Sequence, residues 1–159
     1  NSQTVPRYTA NFAVNSILQD TASKAKAAGI AFTAEAQIPE KLPLSHQDLC
    51  ALLMNLLDNA LRYSGSVRIQ LREKDDILQI DVLDDGPGIP PDMLEQVFEP
   101  FFRLDEARSP HTGGSGLGLS IARSMACRNG GELSLHNRPE GGLCARLCLY
   151  RSAMETETL

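Results

Sequence analysis

No block of lysine and arginine runs through this sequence. Its 15 basic residues are scattered among 20 acidic ones, for a net charge of −5. That distribution argues against general nucleic-acid binding and makes any phosphate recognition a local matter. No apolar run reaches the 18 residues a transmembrane helix needs, and the opening NSQTVPRYTA lacks the pattern of a signal peptide. Four cysteines, Cys50, Cys127, Cys144 and Cys148, form no CxxC pair. A zinc site and a secreted disulfide framework are therefore not expected, and reduced thiols in a cytosolic protein are. Cys144 and Cys148 fall on one face of an expected strand, where they read as small buried hydrophobes.

What is present is ordinary globular material. With 159 residues, 42% of them apolar and 22% charged, the chain suffices for one domain with a sizeable core. The expected domain is residues 1–159, with an ordered core over about 14–150 and a frayed polar tail at 151–159. Val14, Ile17, Leu18, Ala22, Ala25 and Ala28 recur at helical spacing and stop at Gly29. Ile30, Phe32, Ala34 and Ala36 alternate as in a strand. Ser45 is placed to cap the strongest helix, which carries Leu49, Leu52, Leu53, Leu56, Leu57 and Ala60 to about Tyr63.

Val67, Ile69 and Leu71, then Leu78, Ile80 and Val82, predict two antiparallel strands joined at Lys74 to Asp76. A short helix is expected from Pro91 to Phe98, and Glu99 to Gly116 has neither period. Leu117 to Asn129 returns to helical spacing before Gly130 and Gly131, and Glu132 to Asn137 and Leu143 to Tyr150 read as closing strands. Five strands and three substantial helices, with the strands clustered, predict an α+β fold, a two-layer sandwich rather than a doubly wound parallel sheet.

Three motifs carry chemistry. In NLLDNALRY, Asn55, Asn59 and Arg62 stand at i, i+4 and i+7, a stripe separate from the leucines. Carboxamide oxygens can ligate a hard cation such as Mg²⁺, which takes few protein ligands beside substrate phosphates. A solvated helix face is the plainer alternative, against which stand two poor helix formers inside a leucine-rich helix. In DDGPG, Asp84 ends a strand and can accept from an adenine amino group where guanine offers only an oxygen. Gly86 and Gly88 would let the backbone approach a base, although a simple turn would explain the segment by itself.

Gly114, Gly116 and Gly118 precede and open a helix whose amides can meet phosphate. The loop lacks the Lys-Ser/Thr ending of a Walker motif, so it is weak alone. Arg103 and Arg108 before it are candidates for polyphosphate contacts, or ordinary surface arginines.

In this order, NLLDNALRY, DDGPGI, FEPFFR and GGSGLGLSIA resemble the N box, first glycine box, F box and second glycine box of sensor histidine kinases, over roughly Leu44 to Tyr150. The resemblance implies the Bergerat, or GHKL, ATP-binding fold: a mixed sheet of about five strands with helices on one face. It also implies an ATP lid over about 103–115. Asn55 and Asn59 then match metal-binding asparagines, and Arg62 a residue that contacts phosphate. Tyr63 matches a flank of base or ribose, and Asp84 the adenine-reading carboxylate with Gly86 and Gly88 beside it. The lid arginines Arg103 and Arg108, with Gly114, Ser115, Gly116, Leu117 and Gly118, match the phosphate side. Phe98, Phe101 and Phe102 match the box that anchors the lid, with Phe102 in place of a commoner tyrosine.

ATP and Mg²⁺ are the implied cofactors. The implied partners are a separate dimerisation and phosphoacceptor domain of the same kinase and, through phosphorelay, a response regulator, with no nucleic acid and no direct membrane contact by this domain. The implied location is cytoplasmic, in a larger protein anchored in the inner membrane. SHQDL at Ser45 to Leu49 is not followed by the Arg-Thr-Pro of a phosphoacceptor pattern, so His46 reads as a surface histidine. Related chaperone and gyrase ATPases carry a water-activating glutamate where this chain has Asn55, and an amide is no general base. A nucleotide-binding module without catalysis and an anti-sigma-type serine kinase are the competing readings.

Overall fold

The computed structural model describes residues 7–42, 44–102 and 118–150. Asn11 begins the first helix, α1 (Phe12–Ala28), by accepting from the Val14 amide at 3.0 Å, and its own amide group reaches the Glu40 carbonyl at 2.9 Å. The helix therefore starts two residues before its first periodic apolar position, because a capped terminus needs a side-chain acceptor rather than a hydrophobe. Gly29 ends it in the left-handed region, φ 73°. β1 (Ala31–Gln37) follows, then α2 (His46–Tyr63), whose Ser45 hydroxyl accepts from Asp48 N as expected.

β2 (Ser66–Lys74) and β3 (Ile77–Asp84) form an antiparallel hairpin whose two turn residues, Asp75 and Asp76, both have positive φ. That is the primed geometry whose twist matches paired strands, and aspartate tolerates it. α3 (Gly118–Arg128), β4 (Glu132–Asn137) and β5 (Leu143–Tyr150) complete the order.

The sheet runs β1-β2-β3-β5-β4. β1 lies parallel to β2, which is why α2 is needed as the crossover between them; the other pairs are antiparallel. Alternation sends Val67, Ile69, Leu71, Leu78, Ile80, Val82, Leu133, Leu135, Leu147 and Leu149 to one face, where they are buried with the α2 leucines and with Val14 and Leu18 of α1. Each such side chain contributes about 1.5–3 kcal/mol of burial. α3 buries only Ala122 and Ala126, so its backbone comes close to its neighbours. The opposite sheet face carries Arg68, Arg72, Gln79 and the bidentate pair of Arg146 with buried Asp81 at 2.9 and 3.3 Å. The architecture is the expected two-layer α+β sandwich with a mixed five-stranded sheet.

Two expectations need revision. Pro91 to Phe98 is two separate 3₁₀ turns, Pro91–Met93 and Gln96–Phe98, closed by i→i+3 bonds from Met93 N to Pro90 O and from Phe98 N to Glu95 O. With only eight residues and prolines at 90, 91 and 100, few amides are available for an α-helical ladder. Cys144 and Cys148 do share a face, but it is the polar one beside Arg146, with Cys144 buried and Cys148 half-buried. Desolvation raises both thiols, so neither is a ready thiolate. Among the described residues no cluster of His, Cys, Asp and Glu is suited to hold a metal, and no helix is long and apolar enough to cross a membrane.

Candidate functional site

The middle of α2 meets the start of α3. Asn55 and Asn59 are half-buried on α2, on the side away from Leu52, Leu53, Leu56 and Leu57, while Arg62 is exposed one turn further on. The Asn55 amide donates to the Ala51 carbonyl at 2.6 Å, which fixes the plane of the carboxamide. Its oxygen faces Gly118, where an added Cβ would stand 3.3 Å from Oδ1. The first residue of α3 is therefore a glycine where helix and amide nearly touch.

The end of α2 meets the end of β3. Asp84 is only 7% exposed. Its Oδ1 accepts from Gly86 N at 2.9 Å and from Leu143 N at 3.2 Å. Burial raises its carboxyl above the usual carboxylate range, opposed by those two amides and by the nearby Ser64 hydroxyl, while Asp85 pushes the same way as burial. Ser64 Oγ is itself buried without a partner in hydrogen-bonding geometry. A Cβ on Gly86 would stand 3.0 Å from the Tyr63 carbonyl and 3.3 Å from Ser64 Oγ, so Gly86 is what lets this loop lie against the C-terminus of α2. Gly88 has φ 74°, a left-handed conformation that glycine adopts without strain. Tyr63, whose carbonyl lies beside Gly86, is 47% exposed.

Asp85 was not singled out from sequence. Its Oδ1 accepts from both Gly65 N and Ser66 N at 2.9 Å, and its own amide bonds to the Ser66 carbonyl. The two adjacent aspartates thus divide the work: Asp85 ties the loop to the α2–β2 connection, and Asp84 turns inward. Ser64 had no motif to reveal it either. Asp48 was also missed: it accepts from Asn129 at 3.0 Å and lies 3.6 Å from Arg128, joining the start of α2 to the end of α3.

The arrangement brings together Asn55 and Gly118 at one end, and Tyr63, Asp84 and Gly86 at the other, with Asn59 and Arg62 between them along α2. Arg103, Arg108, Gly114, Ser115, Gly116 and Leu117, and with them the expected lid over 103–115, lie outside the described residues, as does the tail at 151–159. Of the three phenylalanines expected to anchor the lid, Phe98 is buried with the Arg123 guanidinium 4.2 Å above its ring, and Phe102 packs partly on the core. Phe101 does not join that core: it is 68% exposed with φ 67°. His46 is exposed in the first turn of α2, nine positions before Asn55, consistent with a surface histidine.

The donor set suits adenine nucleotide and a hard cation. A buried carboxylate with a partnerless hydroxyl and a backbone cradle beside it offers acceptors to a flat heterocycle with donor groups. Neutral amide oxygens suit Mg²⁺ that arrives with phosphates, because they add ligands without adding charge repulsion.

Residues 45–152, more than half of the chain, match the family described as histidine kinase-, DNA gyrase B-, and HSP90-like ATPase. The sensor histidine kinase GtrS of Pseudomonas aeruginosa is 52% identical over 101 residues, covering 64% of this chain and 20% of that protein. The sensor protein KdpD of Escherichia coli is 37% identical over 136 residues, covering 81% of this chain and 15% of that protein. The chain thus spans a fifth or less of the length of these two relatives. Among solved structures, the mycobacterial sensor histidine kinase MprB superposes with a TM-score of 0.72 at 28% identity, covering 86% of this chain and 95% of that one. The nucleotide-free catalytic domain of the histidine kinase ThkA shares the fold, with a TM-score of 0.73 at 23% identity over 88% of this chain and 93% of its own. The motif order, the sheet topology and these matches agree, and the chain belongs to the histidine kinase-, DNA gyrase B- and HSP90-like ATPases.

Proposed function

We propose that this chain is a single catalytic domain over residues 1–159 that binds Mg²⁺-ATP along α2 and donates the γ-phosphoryl to a histidine. That histidine is supplied by a separate dimerisation domain of the same sensor kinase, for relay to a response regulator. Asp84 reads the adenine amino group: its carboxylate is buried at the end of β3, with Oδ1 steadied by the Gly86 and Leu143 amides. Gly86, Gly88 and Tyr63 border the base. Asn55 and Asn59 hold Mg²⁺, which neutralises phosphate charge when bound. Arg62, Arg103 and Arg108 contact the polyphosphate, with Gly114, Ser115, Gly116, Leu117 and Gly118 supplying backbone amides at the start of α3.

The observation that carries this reading is that α2 turns Asn55 Oδ1 toward Gly118 of α3 and ends, at Tyr63 and its C-cap Ser64, against Gly86 and Asp84. One helix thereby spans the base end and the phosphate end. Catalysis rests on positioning and charge neutralisation. Asn55 cannot take a proton from water, so ATP is held for an incoming nucleophile and hydrolysed slowly. The domain works on the cytoplasmic side of a membrane-anchored parent.

Mixing this chain with the parent's separately made dimerisation helices and radiolabelled Mg²⁺-ATP tests the proposal. Acid-labile phosphate on those helices, and none on His46, is the expected result. Acid-stable phosphate would indicate a serine kinase, and no label on either piece would indicate a non-catalytic nucleotide module.

A further inference from the structure

The Asp84–Ile89 loop is held from outside by the β4–β5 hairpin. Register puts three strand ends in one row: Asn137 pairs with Leu143 at the end of β4, and Leu143 N reaches across to Asp84 at the end of β3. From this row the hairpin makes two further attachments. The Asn137 carboxamide pairs reciprocally with the Ile89 backbone, Oδ1 accepting from Ile89 N at 2.9 Å and Nδ2 donating to Ile89 O at 2.7 Å. It imitates one residue of a β-ladder at a place where no strand continues. The Arg138 guanidinium donates from Nη1 to the Asp84 carbonyl at 2.7 Å, and its Nε lies 3.4 Å from Glu140.

Two glycines show how close this approach is. A Cβ on Gly88, at φ 74°, would stand 2.7 Å from Asn137 Oδ1. A Cβ on Gly142, at φ 95°, would run into the Asp84 carbonyl. The close neighbours that make Gly88 and Gly142 necessary are thus parts of the clamp itself. Asp84 and its loop are thus held at three points: the Asp84 carbonyl by Arg138, its carboxylate by the Leu143 and Gly86 amides, and the far end of the loop by Asn137.

We propose that Asn137 and Arg138 are positioning residues for base selection. They act through the Asp84 loop, setting where its carboxylate stands relative to the base, and do not touch nucleotide. The inference rests on the reading of Asp84 as the adenine acceptor. A hydrogen bond discriminates between bases only while its acceptor is held in place, because a loop free to shift can relax around the wrong base and recover part of the lost contact.

The test measures dissociation constants for ATP and GTP by calorimetry in the parent chain and in Asn137→Ala, Asp84→Ala and the double variant, with melting followed alongside. Asn137→Ala should cut the preference for ATP over GTP by roughly 3- to 10-fold, the worth of about one net hydrogen bond. In the Asp84→Ala background the same change should alter the ratio no further, because the group it positions is gone. A purely structural residue would lower the melting point and weaken both nucleotides equally, leaving the ratio intact, and that result overturns the inference. So does an equal loss of preference in the two backgrounds. Should Asn137→Ala fail to fold, Asn137→Asp, which keeps an acceptor opposite Ile89 N and replaces the donor to Ile89 O by a charged oxygen, carries the same comparison of ATP-to-GTP ratios in the two backgrounds. Failure of the underlying reading looks different: Asp84→Ala itself would keep the full preference for ATP.

Discussion

Replacing Gly118 by alanine separates the stability of the fold from the fitness of the proposed metal site. The new methyl group would stand 3.3 Å from Asn55 Oδ1, a few tenths of an ångström inside ordinary carbon–oxygen contact. Asn55 cannot simply rotate away, since its Nδ2 is bonded to the Ala51 carbonyl at 2.6 Å. Losing that bond would cost about 0.5–1.5 kcal/mol. The strain therefore goes into a small displacement of the Asn55 oxygen or of the α3 terminus. Against it stands the gain of alanine over glycine at a helical position, at most about 1 kcal/mol and less in a first turn. The two nearly cancel, and the melting point should move by no more than a few degrees. Mg²⁺ demands near-ideal octahedral distances, so a displaced ligand oxygen should weaken Mg²⁺-ATP by about tenfold, near 1.4 kcal/mol. ATP in the presence of a chelator should bind nearly as before. Calorimetry with and without Mg²⁺, run beside a thermal melt, reads both quantities. A well-folded Gly118→Ala protein with undiminished Mg²⁺-ATP affinity would refute the placement of the cation at Asn55.

Asp84→Ala should reduce the ATP-over-GTP preference by about 5- to 150-fold, the range of one to three kcal/mol for a buried acceptor, measured by competition binding. Asp84→Asn tests the electrostatics of the same group. Burial raises the Asp84 carboxyl, so the folded chain holds this proton more tightly than the unfolded chain, and stability is lost as pH rises from the ordinary carboxylate range through the raised value. The asparagine variant without nucleotide should therefore melt above the parent at pH 7 and equal to it in acid; a constant offset at all pH values would contradict this. Leu53→Ala, at a site fully buried beneath the sheet, should cost about 2–5 kcal/mol in denaturant unfolding.

The elements that announce themselves locally were legible in the sequence. α2 runs from its Ser45 cap to Tyr63 as its leucine period and cap predicted, and Glu132–Asn137 and Leu143–Tyr150 are strands with the expected limits. Apolar period and capping chemistry act within a few residues, which is the range a sequence window samples. The 3₁₀ turns escaped because a segment with apolar residues and no glycine looks helical until its prolines are counted as missing donors. Ser64 and Asp85 escaped for another reason: their roles arise only when the α2 terminus and the β3 terminus meet, 20 residues apart in the chain for the Asp85–Gly65 bond, just as that of Asn137 arises only when the end of β4 meets Ile89, 48 residues away. Nothing in the local pattern of NRPEGG distinguishes a clamp from an ordinary hairpin.

The two ends of the proposed nucleotide site, base end and phosphate end, are built by different physics, and this bears on what the domain can do alone. At the base end the chain supplies everything: a buried acceptor, its amide supports and a glycine-permitted close approach, all among residues 63–89 and 137–143. At the phosphate end α2 supplies neutral amides and one exposed arginine. Its first amide is turned so that the nitrogen is spent on Ala51 and the oxygen looks toward α3. Such a group accepts from donors and ligates cations, but it has no basic lone pair with which to deprotonate water. A carboxylate at position 55 would have added a base, together with a negative charge beside the polyphosphate. With an amide there, electrostatic binding of the phosphates is not opposed and water is not activated. On the proposed reading the acceptor and any proton transfer must therefore come from the domain that carries the histidine, and phosphoryl transfer should depend on that encounter while nucleotide selection does not.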